Sequence, residues 1–204
     1  MIRPQSRCRR SSHPDFSLTY AMRISPRSSE TAFGGSWALN RSTPPLLKPL
    51  GTVLVPATEE KFVAREKFVV DTERRAPVKI SYQGSNFSEW FLGKIEEPKP
   101  ETQLRYAKLL KYSVDRPILT ELGDAQETSL AEIFHLMSGQ PNGESGVLLT
   151  SGYTNIFYVR DINGELRAVD VHWDGDGWIV IADSVANPGE WHGGNRIFSG
   201  FRVL

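Results

Sequence analysis

The strongest structural signal lies in YTNIFYVRDINGELRAVDVHWDGDGWIVIADSV, residues 153–185. Three runs of mostly apolar residues are separated there by two turn signals, Asn163-Gly164 and Asp174-Gly175-Asp176-Gly177. An Asn-Gly pair between such runs is typical of a tight β-hairpin. The sequence therefore predicts a three-stranded antiparallel meander with strands at about 154–161, 166–173 and 178–184.

The turns also predict the register of this meander. A two-residue turn at 163–164 pairs Tyr158 with Val169, and the second turn pairs Trp173 with Trp178. Side chains alternate between the faces of a strand, so the pairs sort the residues into two sets. The first set is nearly all apolar and is the predicted core: Ile156, Tyr158, Val169, Val171, Trp173, Trp178, Val180 and Ala182.

The second face is mixed, and it carries the first candidate site. It contains Phe157, Val159, Ala168, Asp170, His172, Ile179, Ile181 and Asp183. Carboxylates about one strand apart raise each other's proton affinity, and apolar neighbours add a desolvation cost. Groups perturbed in this way often mark functional sites. Asp170, His172 and Asp183 are therefore the candidate catalytic residues, and a solvent-facing surface with ordinary polar residues is the alternative.

A second candidate site lies in the loop NPGEWHGGNR, residues 187–196. It contains five residues suited to binding a partner: Glu190, Trp191, His192, Asn195 and Arg196. Loops that mix aromatic and charged residues often carry recognition. His192 could also join His172 as a ligand or acid–base partner. The alternative is a structural loop in which Trp191 covers an edge of the core.

Helices are predicted beside the meander. The clearest is Leu130–Ser138, because Ser129 and Glu132 form a capping box and Gly139 stops the helix. Ile118–Leu122 is predicted as a short strand. The predicted class is α+β, an antiparallel sheet with the C-terminal meander covered by one or two helices.

Charge divides the chain into two predicted regions. Residues 1–50 contain eight basic and two acidic residues, with six of the 13 prolines. Because such a segment has few large apolar residues, residues 1–45 are predicted to be a disordered basic tail, and 46–204 a single domain. We expect an inert extension. A transit peptide, a contact with nucleic acid or anionic lipid, and translation from a start upstream of Met22 are alternatives.

The acidic C-terminal half excludes some classes of function. Residues 117–204 contain four basic and twelve acidic residues, the wrong sign for displacing counterions from a nucleic-acid duplex. Nucleic acid is therefore expected only through the tail. The lone Cys8 excludes a disulfide framework, and no apolar run approaches the length of a membrane span. We expect a cytoplasmic protein without a membrane partner.

Three segments carry a resemblance: LLKPLGTVLVPATEEKFVAREKFVVDT at 46–72, SYQGSNFSEWFLGKIEEP at 81–98 and HWDGDGWIVIADSV at 172–185. Over about residues 46–199 the chain resembles a group of bacterial proteins from small, uncultivated lineages. That group has no assigned activity, so the resemblance implies no site residue. It implies a bacterial cytosolic protein whose first 45 residues are additional to the domain.

Two hypotheses of function follow from the residues. The first is a binding or interaction protein whose acidic half recognises a basic protein or a cationic small ligand. The second is a hydrolase or metal-dependent enzyme that uses Asp170, His172 and Asp183, with His192 from the loop. The residues do not define a cofactor or the identity of a metal.

Overall fold

The computed structural model describes residues 44–187 and 189–200, and they form a mixed α+β fold with a mostly antiparallel sheet, as predicted. The predicted tail at 1–45 falls almost entirely outside these residues. In chain order the elements are β1 (Leu47–Val55), β2 (Phe62–Val63), α1 (Ala64–Lys67), β3 (Ile80–Gln83), α2 (Ser85–Phe91), β4 (Ile95–Glu96), β5 (Thr102–Leu109), α3 (Asp115–Leu122), a 3-10 turn (Gly123–Ala125), β6 (Glu127–Thr128), α4 (Leu130–Ser138), β7 (Asn155–Arg160), β8 (Leu166–Trp173), β9 (Trp178–Ser184) and β10 (Arg196–Gly200).

Within the described residues, eight strands form one sheet in the order β1-β5-β10-β7-β8-β9-β3, with β6 beside β7. The pairs β10–β7, β9–β3 and β6–β7 are parallel, and the others are antiparallel. The strands β7, β8 and β9 therefore lie inside a larger sheet, and the meander predicted for them is not confirmed as a separate unit. A second sheet contains only β2 and β4.

The two hairpins of this region differ in how they match their predicted register. In the second hairpin Trp173 pairs with Trp178 and Val171 with Val180, which are the predicted partners. In the first hairpin Phe157 pairs with Val169, whereas Tyr158 was predicted there. The register of the first hairpin is therefore wrong by one residue.

The cause is a three-residue loop at 162–164. The carboxylate of Asp161 accepts hydrogen bonds from the backbone N–H groups of Asn163 at 2.8 Å and Glu165 at 2.9 Å. The Asp161 N–H donates to the Glu165 carbonyl, so these two residues close the loop. Gly164 has a φ of 80°, the left-handed conformation that a three-residue hairpin loop needs. Asn163-Gly164 thus forms part of a longer turn.

The slip exchanges side chains between the two faces. Phe157 and Val159 join the core beside Val169, Val171, Trp178, Val180 and Ala182, and we call this set the aromatic face. Ile156 and Tyr158 instead lie on the side of Asp170, His172 and Asp183, which we call the acidic face.

Helices cover both faces, whereas coverage of one face was expected. Residues of α2 and α4 pack into the core of the aromatic face, and α4 has the predicted limits and capping box. Ile118 of α3 packs with Ile156 and Tyr158 on the acidic side. The predicted strand at 118–122 is therefore wrong, because Asp115–Leu122 is helical. Among the described residues, none of the helices has the length and apolar character needed to cross a membrane.

Candidate functional site

One end of the sheet brings the two predicted candidate sites together. There the segment before β7, the end of β8 and the loop before β10 meet, because Asn155 pairs with both Val171 and Arg196. They line an open cavity of about 330 Å³. Its lining comes from all three segments: Gly152, Tyr153, Thr154, Asp170, His172, Trp173, Glu190, Trp191, His192 and Asn195.

Asp170 and His172 form the polar centre of this cavity. They occupy alternate positions of β8, so both side chains lie on the acidic face. His172 Nδ1 lies 3.2 Å from Asp170 Oδ1, and the Thr154 hydroxyl donates to the same oxygen. The hydrogen bond to Asp170 raises the pKa of His172, while partial burial opposes the increase. This pairing holds His172 and favours its protonated form.

Asp183 is near this pair but does not line the cavity. It lies opposite Ala168 on β9, diagonal to Asp170, as the register predicted. Burial raises the pKa of Asp183, and the charge of Asp170 adds to the increase. The structure thus couples Asp183 to Asp170 electrostatically, without bringing the three predicted catalytic residues into one cavity.

Four of the five predicted loop residues line the cavity. Glu190 and His192 are exposed, and the His192 ring lies edge-on to Tyr112 with centroids 5.3 Å apart. Asn195 is buried, and its side-chain oxygen accepts from the Thr154 N–H at 3.3 Å. Trp191 is buried in the core of the acidic face, as its alternative interpretation proposed.

Arg196 lies on the other side of the sheet. Its guanidinium donates to the Val147 carbonyl, and its Cζ is 5.2 Å from the centroid of the Tyr106 ring. Burial lowers the pKa of this guanidinium. The alternation along β10 explains the difference, since Ile197 faces the acidic side and Arg196 and Phe198 do not. Arg196 is therefore not part of the same surface as the other four loop residues.

Sequence reasoning missed Asp115, which anchors the loop. It is fully buried at the start of α3, and its Oδ1 accepts from Trp191 Nε1 at 2.7 Å and from the Tyr158 hydroxyl at 2.8 Å. Two backbone hydrogen bonds between Ser113 and Trp191 also join the start of α3 to the loop. Burial raises the pKa of Asp115; the two hydrogen bonds oppose this, and the charge of Asp183 adds to it.

A signal for Asp115 was present in the sequence. An acidic residue followed by Pro117 is typical of a helix start, since proline is tolerated in the first turn. That pattern favours the helix now seen at 115–122 over a strand. Nothing in the pattern, however, indicates that the carboxyl group is buried.

Glycine shapes the wall of the cavity at position 194. Gly194 has a φ of 112°, and a Cβ at this position would lie 2.3 Å from the Tyr153 ring. The ring of Tyr153 therefore lies directly on the backbone of the loop. This close approach fixes one aromatic side of the cavity against the segment that carries Glu190 and His192.

Two carboxylates and two histidines line the cavity. Asp170 and Glu190 line it together with three aromatic residues, and the described residues of its lining include neither lysine nor arginine. Within 44–187 and 189–200 there is also no group of three or more histidine, cysteine, aspartate or glutamate side chains arranged to hold a metal ion.

Comparison of the chain with protein-family models, with curated proteins and with solved structures finds no match.

Proposed function

We propose that this is a binding protein whose cavity at Asp170 takes a cationic group, carried by a small molecule or by a basic protein. One observation carries the proposal: carboxylates and aromatic rings meet in a cavity of about 330 Å³ whose described lining has no lysine or arginine. Aromatic rings attract cations through their negative faces, and a nearby carboxylate adds a charge-assisted hydrogen bond. The acidic charge of residues 117–204 would also speed the approach of a cation.

A charge-matched ligand series tests the proposal. The full chain would be titrated at pH 7.5 with n-butylammonium, n-butanol and pentanoate, which share a butyl group and differ in charge. Binding would be followed by calorimetry and NMR. We expect binding of the cation only. Asp170→Asn should weaken it at least about fivefold, because a charge-assisted hydrogen bond is lost. Asp176→Asn is the matched control, since Asp176 is exposed in the turn and outside the cavity.

Binding should also depend on pH with a defined sign. Protonated His172 pairs with Asp170, so a cationic ligand must compete with it. The pKa of His172 is raised above its usual 6.5. We therefore expect affinity to increase as the pH rises through the pKa of His172. Equal affinity for all three butyl compounds, or tighter binding at low pH, would contradict the proposal.

A second candidate function, hydrolysis, rests on the contact of 3.2 Å between His172 Nδ1 and Asp170. A carboxylate that holds one ring nitrogen orients the imidazole, so His172 Nε2 could act as a general base. The Thr154 hydroxyl donates to Asp170, not to His172, so these three residues do not form a nucleophile–base relay. Turnover of p-nitrophenyl ester or phosphate substrates that is lost in His172→Gln would support hydrolysis.

We also propose that the protein is bacterial and cytoplasmic. In that compartment it would meet both basic proteins and small organic cations. Co-purification of such a partner from the native cell, lost in Asp170→Asn, would support this setting.

A further inference from the structure

The chain already contains one guanidinium held by a carboxylate and an aromatic ring. Arg167 Nε donates to Asp161 Oδ2 at 2.9 Å, and its Cζ lies 4.0 Å from the centroid of the Trp90 ring. The side chain of Arg167 is only 12% exposed. A guanidinium tolerates this burial because it is planar and weakly hydrated, and because it can stack while donating to a carboxylate.

The cavity at Asp170 offers the same kinds of group. Its Oδ1 accepts from Thr154 and lies beside His172, and Oδ2 has no hydrogen-bond partner among residues 44–187 and 189–200. Glu190 supplies a second, exposed carboxylate. Tyr153 supplies a ring, whereas the ring of Trp173 packs against Trp178 on the aromatic face. The cavity thus repeats the surroundings of Arg167, with the cation to come from outside.

We infer that the cationic group taken by this cavity is a guanidinium, from an arginine side chain or a small guanidino compound. The inference rests on the proposed function and narrows it. A quaternary ammonium has no N–H to donate to Asp170 Oδ2. A primary ammonium is more strongly hydrated and does not stack on a ring as a planar guanidinium does.

The volume of the cavity fits a single guanidinium group. A volume of about 330 Å³ lies at the lower end of small-molecule pockets. It accommodates a guanidinium with a short alkyl chain. Tyr153 and Glu190 are exposed at the opening of the cavity, where the rest of the ligand would extend into solvent.

A series of cations with one alkyl chain tests the inference. The full chain would be titrated with n-butylguanidinium, n-butylammonium and butyltrimethylammonium at pH 7.5. We expect n-butylguanidinium to bind at least about tenfold more tightly than either other cation, because it alone combines stacking on a ring with an N–H donor to Asp170 Oδ2. NMR signals of the tryptophan indole groups would report the contact.

Variants separate the groups that hold the ligand. Asp170→Asn should reduce the preference for guanidinium to about twofold or less, because the charged oxygen Oδ2 that accepts from the guanidinium is lost. Glu190→Gln should weaken all three cations by a similar, smaller factor, since Glu190 is exposed. Asp176→Asn should change neither affinity nor preference. Tyr153→Leu should weaken n-butylguanidinium most, because it removes a ring.

The outcomes distinguish this inference from the proposed function. If n-butylammonium or butyltrimethylammonium binds as tightly as n-butylguanidinium, and Asp170→Asn weakens them all, the cavity takes a cation but the guanidinium inference is wrong. If none of the three binds, both are wrong.

A peptide arm identifies the source of the guanidinium. Acetyl-Gly-Ser-Arg-Ser-Gly-amide would be compared with n-butylguanidinium and with the same peptide carrying lysine. Equal or tighter binding of the arginine peptide assigns the ligand to a basic protein. Exclusion of both peptides, with n-butylguanidinium still bound, assigns it to a free guanidino compound.

Discussion

The aromatic face and the acidic face belong to the same strands but hold different chemistry. On the aromatic face Phe157 stacks on Phe198 with ring centroids 4.4 Å apart, and both rings are fully buried. On the acidic face α3 carries Asp115, whose pKa is raised by burial, and the loop before β10 reaches Asp170 and His172. One set of strands thus separates an apolar core from a set of coupled ionisable groups.

This difference shows how the fold can hold buried carboxyl groups. Removing such a group from water costs free energy unless hydrogen bonds compensate for it. Asp115 Oδ1 has two donors, but Oδ2 has no partner among the described residues. The stabilisation must therefore come mainly from apolar burial, to which the aromatic face contributes most of the large side chains. Substitutions on the two faces should then differ in size and in their dependence on pH.

The largest expected effect is on the aromatic face. Phe157→Ala should lower the free energy of unfolding by about 3–5 kcal/mol, because it removes a fully buried ring and leaves a cavity beside Phe198. Urea denaturation at pH 5 and pH 8 should give the same loss of unfolding free energy, since the phenyl ring has no ionisable proton. Phe157→Leu, the control, should lose much less. A loss that changes strongly with pH would break the distinction between the faces.

The second effect is on the acidic face. Asp115→Ala should lower the free energy of unfolding by about 2–3 kcal/mol, because it leaves the Tyr158 hydroxyl and the Trp191 N–H without an acceptor. It should also loosen the loop, which hydrogen exchange at Trp191 would detect. Asp115→Asn keeps an acceptor oxygen and should lose less. If both variants were equally unstable, the hydrogen bonds would not be the source of the effect.

The third effect is the pH dependence of stability. Because the pKa of Asp115 is raised above its usual 3.8, the folded chain keeps a proton that the unfolded chain releases. The contribution of this residue to stability is complete below pH 3.8 and is lost as the pH rises through the folded-state pKa. Asp115→Asn should therefore become more stable relative to the natural chain as the pH rises, which urea midpoints from pH 4 to pH 8 would measure.

A turn residue supplies the control with the opposite sign. Partial burial alone would raise the pKa of Asp174, but hydrogen bonds from the backbone N–H groups of Asp176 and Gly177 lower it. Its contribution is present above pH 3.8 and is lost as the pH falls through the lowered pKa. Asp174→Asn should therefore become less stable relative to the natural chain as the pH rises. Slopes of the same sign in both variants would contradict this assignment.

The sequence could predict the second hairpin because its apolar and polar residues alternate. Asp170 and His172 alternate there with Val169, Val171 and Trp173, so only one register buries the apolar set. In β7 the run from Ile156 to Val159 is entirely apolar, and alternation carries no information about the face. The register of β7 therefore depends on the number of residues in the turn. The side-chain hydrogen bonds of Asp161 favour a loop of three residues, whereas two were predicted.

The candidate site was predictable only in parts. Asp170, His172 and four of the loop residues were identified from local patterns, and the structure brings them to one cavity. Their meeting depends on β10 lying parallel beside β7, a long-range pairing that no local pattern of this chain indicates. The contact of Thr154 with Asp170 depends instead on the register of the first hairpin, and that of Asp115 with Trp191 depends on a long-range contact between α3 and the loop.

The smallest effect concerns protonation alone. Asp170→Asn should lower the pKa of His172, because the hydrogen bond and the charge of Asp170 are what raise it. Thr154→Val keeps the carboxylate and should leave the pKa of His172 raised, at a cost in stability of no more than about 1 kcal/mol for the lost hydrogen bond. NMR titration of the imidazole protons of His172 would compare the three chains. An unchanged pKa in Asp170→Asn would mean that the acidic face does not control the protonation of the cavity, and a cationic ligand would then not compete with His172.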